Sequence, residues 1–123
     1  MFKNFTKLKY LDLSIFDLNK IVLCKEMFAD CVNLEILKFN NNSKANEIND
    51  LTGIFSNCKK LISLDLSYIN SSKVISMKNM FKNCYDLKII NIPNLNTITV
   101  QDMTSAFSDC YQLEILISLL LLI

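Results

Sequence analysis

Arginine and histidine are both absent from the 123 residues, and glycine and proline occur once each, as Gly53 and Pro93. Without arginine, bidentate recognition of phosphate or of guanine loses its best side chain. Without histidine, the usual general base and the commonest metal ligand are gone. Charge does not compensate: 13 lysines are interspersed with 12 acidic residues for a net charge of +1. That balance leaves no electrostatic footprint for nucleic acid or an anionic membrane. Hydrophobic residues make up 51% of the chain, which excludes a disordered polymer. No cofactor, metal or catalytic group is expected.

Two further absences concern the ends. Met1-Phe2-Lys3-Asn4-Phe5 carries no apolar core of a secretory signal. The closing run Ile115–Ile123, ILISLLLLI, is nine residues long, about half of a membrane span. It is read as a frayed repeat rather than a truncated anchor, and no membrane span is expected within the chain.

What is present is a repeat. Met1, Met27, Ile54, Met80 and Ala106 begin five copies spaced 26, 27, 26 and 26 residues apart, and each is followed by phenylalanine, from Phe2 to Phe107. Cys31, Cys58, Cys84 and Cys110 stand four residues after the start, with Phe5 in their place in the first copy. Leu8, Leu34, Leu61, Leu87 and Leu113 then open an L-x-x-L-x-L run. A period near 26 falls within the roughly 20–29 residues of leucine-rich repeats. Residues 1–123 are therefore read as one such domain, a fragment without caps, because Met1 already occupies the repeat's own Met position.

Within a copy, Val74, Met77, Met80, Phe81 and Cys84 follow helical spacing, and Ile90 and Ile92 alternate as in a strand. Ser72 and Thr99 stand where N-caps of such helices would be. The expectation is an α/β solenoid of about 4.5 repeats, with a parallel sheet on one face and short helices on the other. Pro93, lacking an N–H, suits a place just past the strand. The polar stretch Asn40–Asp50 is one residue longer than its counterparts and is expected to bulge from the edge.

Strand alternation turns the intervening residues outward in three rows. The first holds Tyr10, Ile36, Ser63, Ile89 and Ile115. The second holds Asp12, Lys38, Asp65, Asn91 and Ile117, with Asp12, Lys38 and Asp65 alternating in sign, worth a few tenths of a kcal/mol each by analogy with cross-strand pairs. The third holds Ser14, Asn40, Ser67, Pro93 and Leu119. Isoleucine on a wet face marks a candidate contact surface.

Cys31, Cys58, Cys84 and Cys110 lack metal-ligand spacing and align as a column of small buried thiols. Neighbouring Cα atoms could approach disulfide range, but a bridge would distort an even stack. Cys24 falls at a core position, and no base stands ready to activate a thiol. N-glycosylation sequons occur at Asn4, Asn41 and Asn70, of consequence only in a eukaryotic secretory route. The surplus of asparagine, lysine and isoleucine is also what an A+T-rich genome produces, so asparagine motifs carry little weight.

The pattern M-F-x-x-C-x-x-L-x-x-L-x-L, seen as VISMKNMFKNCYDLKIINI over residues 74–92 and as IFSNCKKLISLDLS over 54–67, resembles the BspA-like leucine-rich-repeat proteins along essentially the whole chain. The resemblance implies a right-handed leucine-rich-repeat solenoid, a cell-surface or secreted location, and adhesion or contact with a protein or extracellular-matrix ligand. It supplies no catalytic residues. The candidate binding face is Tyr10, Asp12, Ser14, Ile36, Lys38, Asn40, Ser63, Asp65, Ser67, Ile89 and Asn91. The other readings are a cytoplasmic scaffold and an enzyme using a repeat thiol. The partner and the oligomeric state are not legible in the sequence.

Overall fold

In the computed structural model, which describes residues 1–40, 42–92 and 98–117, five short strands fall where apolar and polar residues alternate. They are β1 (Tyr10–Leu13), β2 (Ile36–Phe39), β3 (Ser63–Asp65), β4 (Ile89–Asn91) and β5 (Ile115–Ile117). All pairing is parallel, and Tyr10 lies opposite Ile36, Ser63 opposite Ile89, and Ile89 opposite Ile115. Leu37, Leu64 and Ile90 point inward and are buried, while their strand neighbours are mostly exposed.

The expected α/β leucine-rich-repeat solenoid is overturned. Among the described residues there is no α-helix, only a 3-10 turn at Ser71–Lys73, and the strands form two sheets, β1-β2 and β3-β4-β5. The reason lies in the backbone between Val74 and Leu87 and its counterparts. Glu26 and Asp30, Gly53 and Asn57, Asn79 and Asn83, and Ser105 and Asp109 all have φ between 52° and 62°. A left-handed residue costs roughly 1–2 kcal/mol outside glycine, least for Asn and Asp, and it cannot continue a right-handed helix.

Successive i→i+3 turns replace the helix. The amides of Met80, Lys82, Cys84 and Leu87 bond the carbonyls of Met77, Asn79, Phe81 and Cys84 at 3.1–3.3 Å. The alternate amides leave the unit altogether: Asn79, Phe81 and Asn83 donate to the carbonyls of Thr104, Ala106 and Ser108 at 2.8–2.9 Å. Ser72 accordingly lies inside the 3-10 turn, capped by Asn70, rather than capping a helix. Thr99 likewise precedes no helix.

This turn face is bonded without a break from the first unit to the fifth, through Phe2 to Met27, Phe28 to Ile54, Phe55 to Met80 and Phe81 to Ala106. The strand face is interrupted: no backbone hydrogen bond joins β2 to β3 among the described residues. The seam coincides with the one 27-residue step. There the polar stretch does not simply bulge. The Ser43 hydroxyl accepts from the Leu18 amide, and Ala45, fully buried, bridges Ile69. Pro93, Asn41 and the apolar tail 118–123 lie outside the described residues.

Side chains of equal position lie one on another through the core. The rings of Phe2, Phe28, Phe55, Phe81 and Phe107 stack at centroid separations of 5.5–5.8 Å, the offset arrangement aromatic quadrupoles favour. Phe39 against Tyr68, at 4.1 Å, fills the space beneath the seam.

Candidate interaction face

The strands set the outward rows because their inward residues are held by the core. Tyr10, Ile36, Ile89 and Ile115 are 49%, 47%, 40% and 45% exposed, and Asp12, Ser14, Lys38, Ser63 and Asp65 are exposed as well. Asn40, Ser67 and Asn91 are half-buried. The Ile117 side chain, Pro93 and Leu119 lie outside the described residues.

The structure brings these residues together in two groups rather than one. Tyr10 and Ile36 are register partners on the first sheet, and Ser63, Ile89 and Ile115 adjoin one another on the second. No strand pairing joins the Ile36 group to the Ser63 group among the described residues. A crevice of about 300 Å³ opens there between Ser14, Leu37, Lys38, Phe39 and Asp65.

The alternating-sign row does not close into ion pairs. The ion pairs among the described residues are Lys3–Glu26 at 2.7 Å and Lys73–Glu47 at 2.8 Å, both off the strand face. Lys38 instead places its Nζ 5.8 Å from the Tyr10 ring centroid, within cation–π range. Asp12 accepts from the Ser14 amide at 2.9 Å and from the Tyr10 hydroxyl at 3.3 Å. Its carboxyl is held below the usual range, first by the Ser14 side chain and then by the Ser14 amide, with the Lys38 charge least. Asp65 accepts from the Ser67 amide and from Asn91 Nδ2, which ties β3 to β4 through side chains. Both aspartates thus face solvent already fixed in direction.

A family model described as "Mycoplasma protein of unknown function, DUF285" matches residues 24–119. The chain belongs to the DUF285 family. No curated protein and no solved structure matches it. The matched span begins at Cys24, so Tyr10, Asp12 and Ser14 of the candidate face lie outside it.

The thiol column of this DUF285 chain was expected, but its hydrogen bonds were not, nor was a second column of asparagines. Each repeat cysteine donates its thiol to the phenylalanine carbonyl of the preceding unit: Cys31 to Phe2, Cys58 to Phe28, Cys84 to Phe55 and Cys110 to Phe81, at 3.1–3.2 Å. The five cysteines are free. Burial pushes every one of these thiols above its ordinary value, Cys24 to about 11. A thiol so protonated is a poor nucleophile. In the second column, Asn83 Nδ2 donates to Asn57 and Asn57 Nδ2 to Asp30, at 2.7 and 2.6 Å. The visible signal for it was Asn or Asp recurring three residues after each start. No group of side chains suited to a metal ion occurs among the described residues.

Proposed function

We propose that this DUF285 chain is a non-enzymatic module that binds a protein or matrix ligand through its strand face. The observation that carries the reading is the set of apolar side chains, Tyr10 with Ile36 and Ile89 with Ile115, held in solvent by strands whose alternate residues lie in the core or pack against it. Apolar surface framed by oriented polar groups is the usual composition of a contact site. Asp12 and Asp65 supply such groups. A cell-surface or secreted location, with a role in adhesion, follows from the BspA-like resemblance.

The five free cysteines favour a second reading, an intracellular scaffold, since free thiols persist in reducing compartments. Protease shaving of intact cells separates the two: a tagged chain lost on shaving is exposed outside, and one that survives is internal.

The face itself is tested by replacing Ile36, Lys38 and Asp65 together with serine and measuring binding to immobilised collagen, laminin and fibronectin. Affinity for whichever ligand the native chain binds falls at least about tenfold, or roughly 1.4 kcal/mol, while the melting curve is unchanged. Equal affinity of the triple variant and the native chain excludes this face.

A further inference from the structure

The repeat departs from its own regularity at the seam between β2 and β3. Leu37 and Phe39 line the crevice there and are 7% and 8% exposed, where Leu64, Leu66, Ile90 and Ile92 at the same two positions are 0–2%. Solvent thus reaches the edge of the core. A backbone group is left over as well. The Ile36 amide bonds the Lys9 carbonyl in the first sheet, so strand alternation turns the Leu37 carbonyl toward β3. No backbone partner meets it there among the described residues. A carbonyl beside an apolar floor costs stability unless solvent or a ligand supplies a donor.

Charge is unbalanced at the same point. In the row Asp12, Lys38, Asp65, the lysine leans toward the first sheet, its Nζ 5.8 Å from the Tyr10 ring centroid. Asp65 has no ion pair among the described residues. Its Oδ1 accepts from the Ser67 amide and from Asn91 Nδ2 at 3.0 and 3.2 Å, and its Oδ2 has no hydrogen bond within the described residues. Lys44, which reaches this end of the strands, donates to the Ser67 carbonyl instead. Ser14 stands on the opposite rim. The crevice therefore combines an apolar floor, unused acceptors and one uncompensated negative charge.

We infer that this crevice takes the side chain of an arginine carried by a protein partner. The inference rests on the reading of the strand face as a contact surface and names what the partner presents there. A single positive charge answers Asp65. The carboxylate oxygen and the Leu37 carbonyl both need donors, and a guanidinium carries five in a flat fork where an ammonium is a point charge. Its methylene stem lies along Leu37 and Phe39, as long basic side chains do on apolar surface. The occupant comes from a different protein, because this chain contains no arginine and a second copy has only lysines to offer.

The test is an NMR titration of the nitrogen-labelled native chain with the tripeptide acetyl-Gly-Arg-Gly-amide, and with the same tripeptide carrying lysine or citrulline. The amide resonances of Ser14, Leu37, Phe39 and Asp65 move together and saturate with the arginine peptide. The lysine peptide binds at least about fivefold more weakly, and the uncharged citrulline peptide does not bind. Asp65→Asn weakens the arginine peptide at least about tenfold, whereas Asp86→Asn, exposed but outside the crevice, leaves it unchanged. The peptide comparison uses the native chain, so it decides the matter even if Asp65→Asn melts early. Equal binding of the citrulline or lysine peptide overturns the inference, as do shifts spread evenly over the exposed carboxylates. If the arginine peptide fails while the triple variant at Ile36, Lys38 and Asp65 loses its matrix ligand, the crevice inference falls and the proposed face stands. A peptide that binds here while the triple variant keeps its matrix ligand upholds the crevice and removes the proposed face.

Discussion

Asn79 discriminates between a helix and a run of turns by the sign of one stability difference. It sits at φ 54°, half-buried; its amide bonds the Thr104 carbonyl, and its own carbonyl accepts from Lys82. Both bonds use backbone atoms, so they persist in Asn79→Ala and Asn79→Gly. In the left-handed region alanine is penalised by roughly 1–2 kcal/mol relative to glycine. Glycine gives back about 0.4–1 kcal/mol through the greater freedom of its unfolded chain. The glycine variant is therefore the more stable by a net value of about 1 kcal/mol. In a helix the order reverses, and alanine leads by about 1 kcal/mol. Urea denaturation followed by far-UV circular dichroism measures the difference directly. An alanine variant as stable as the glycine variant, or more so, refutes the turn geometry and restores the helix.

Three other outcomes follow from the packing. Phe55→Ala, at a site with a ring stacked on either side at 5.6 and 5.8 Å, costs about 3–5 kcal/mol; Phe2→Ala, half-buried, costs about half as much, and equal losses in chemical denaturation contradict the column. The raised thiols and Tyr68 keep their protons in the native chain at pH values where the unfolded chain has released them. Stability contributed in this way is complete below the ordinary thiol value of 9.0 and is lost as pH rises above it, by about 1.4 kcal/mol per pH unit for each thiol ionised only when unfolded. Denaturation midpoints that hold steady from pH 8 to about 11 speak against buried thiols. At the seam, the Leu66 amide is bonded to the Asn91 carbonyl, so strand alternation turns the Asp65 amide toward β2, where it has no backbone partner. Hydrogen exchange is faster at Asp65 than at Leu66, and the reverse order means that β2 and β3 are paired.

The strands and their register were legible because both are set by side chains that must face a core. Leu37, Leu64 and Ile90 mark the inward positions, and a 26-residue step carries Ser63 onto Ile89 and Ile89 onto Ile115. The segment from Val74 to Leu87 was misread because apolar residues three apart fit two backbones. A helix brings i, i+3 and i+7 to one face, and so does a chain of three-residue turns. Apolar spacing cannot choose between them, since it reports only which side is buried. The residues that do choose are Gly53 and the polar Asn57, Asn79, Asn83, Ser105 and Asp109. Their recurrence four residues apart was in plain view but was discounted as compositional asparagine. A residue type common for genomic reasons still has to be placed, and a left-handed site is where asparagine costs least.

The same alternation that forbids a helix creates the bonds between units. In a helix every interior amide bonds within its own segment, leaving only side chains to join one segment to the next. Here a left-handed residue at every fourth position frees alternate amides, and those amides tie each unit to the following one. The continuous turn face then holds the second and third units together where the strand face does not. Mutations at left-handed positions should therefore loosen adjacent units from one another before they disorder either unit internally. Loss of the Tyr85–Tyr111 stacking, whose rings lie 5.5 Å apart in neighbouring units, is the local signal. In Asn83→Ala, two residues before Tyr85, the tyrosine ring resonances of Tyr85 and Tyr111 shift at urea concentrations where strand amides are still protected. Simultaneous loss of both places the cohesion between units in the side chains instead.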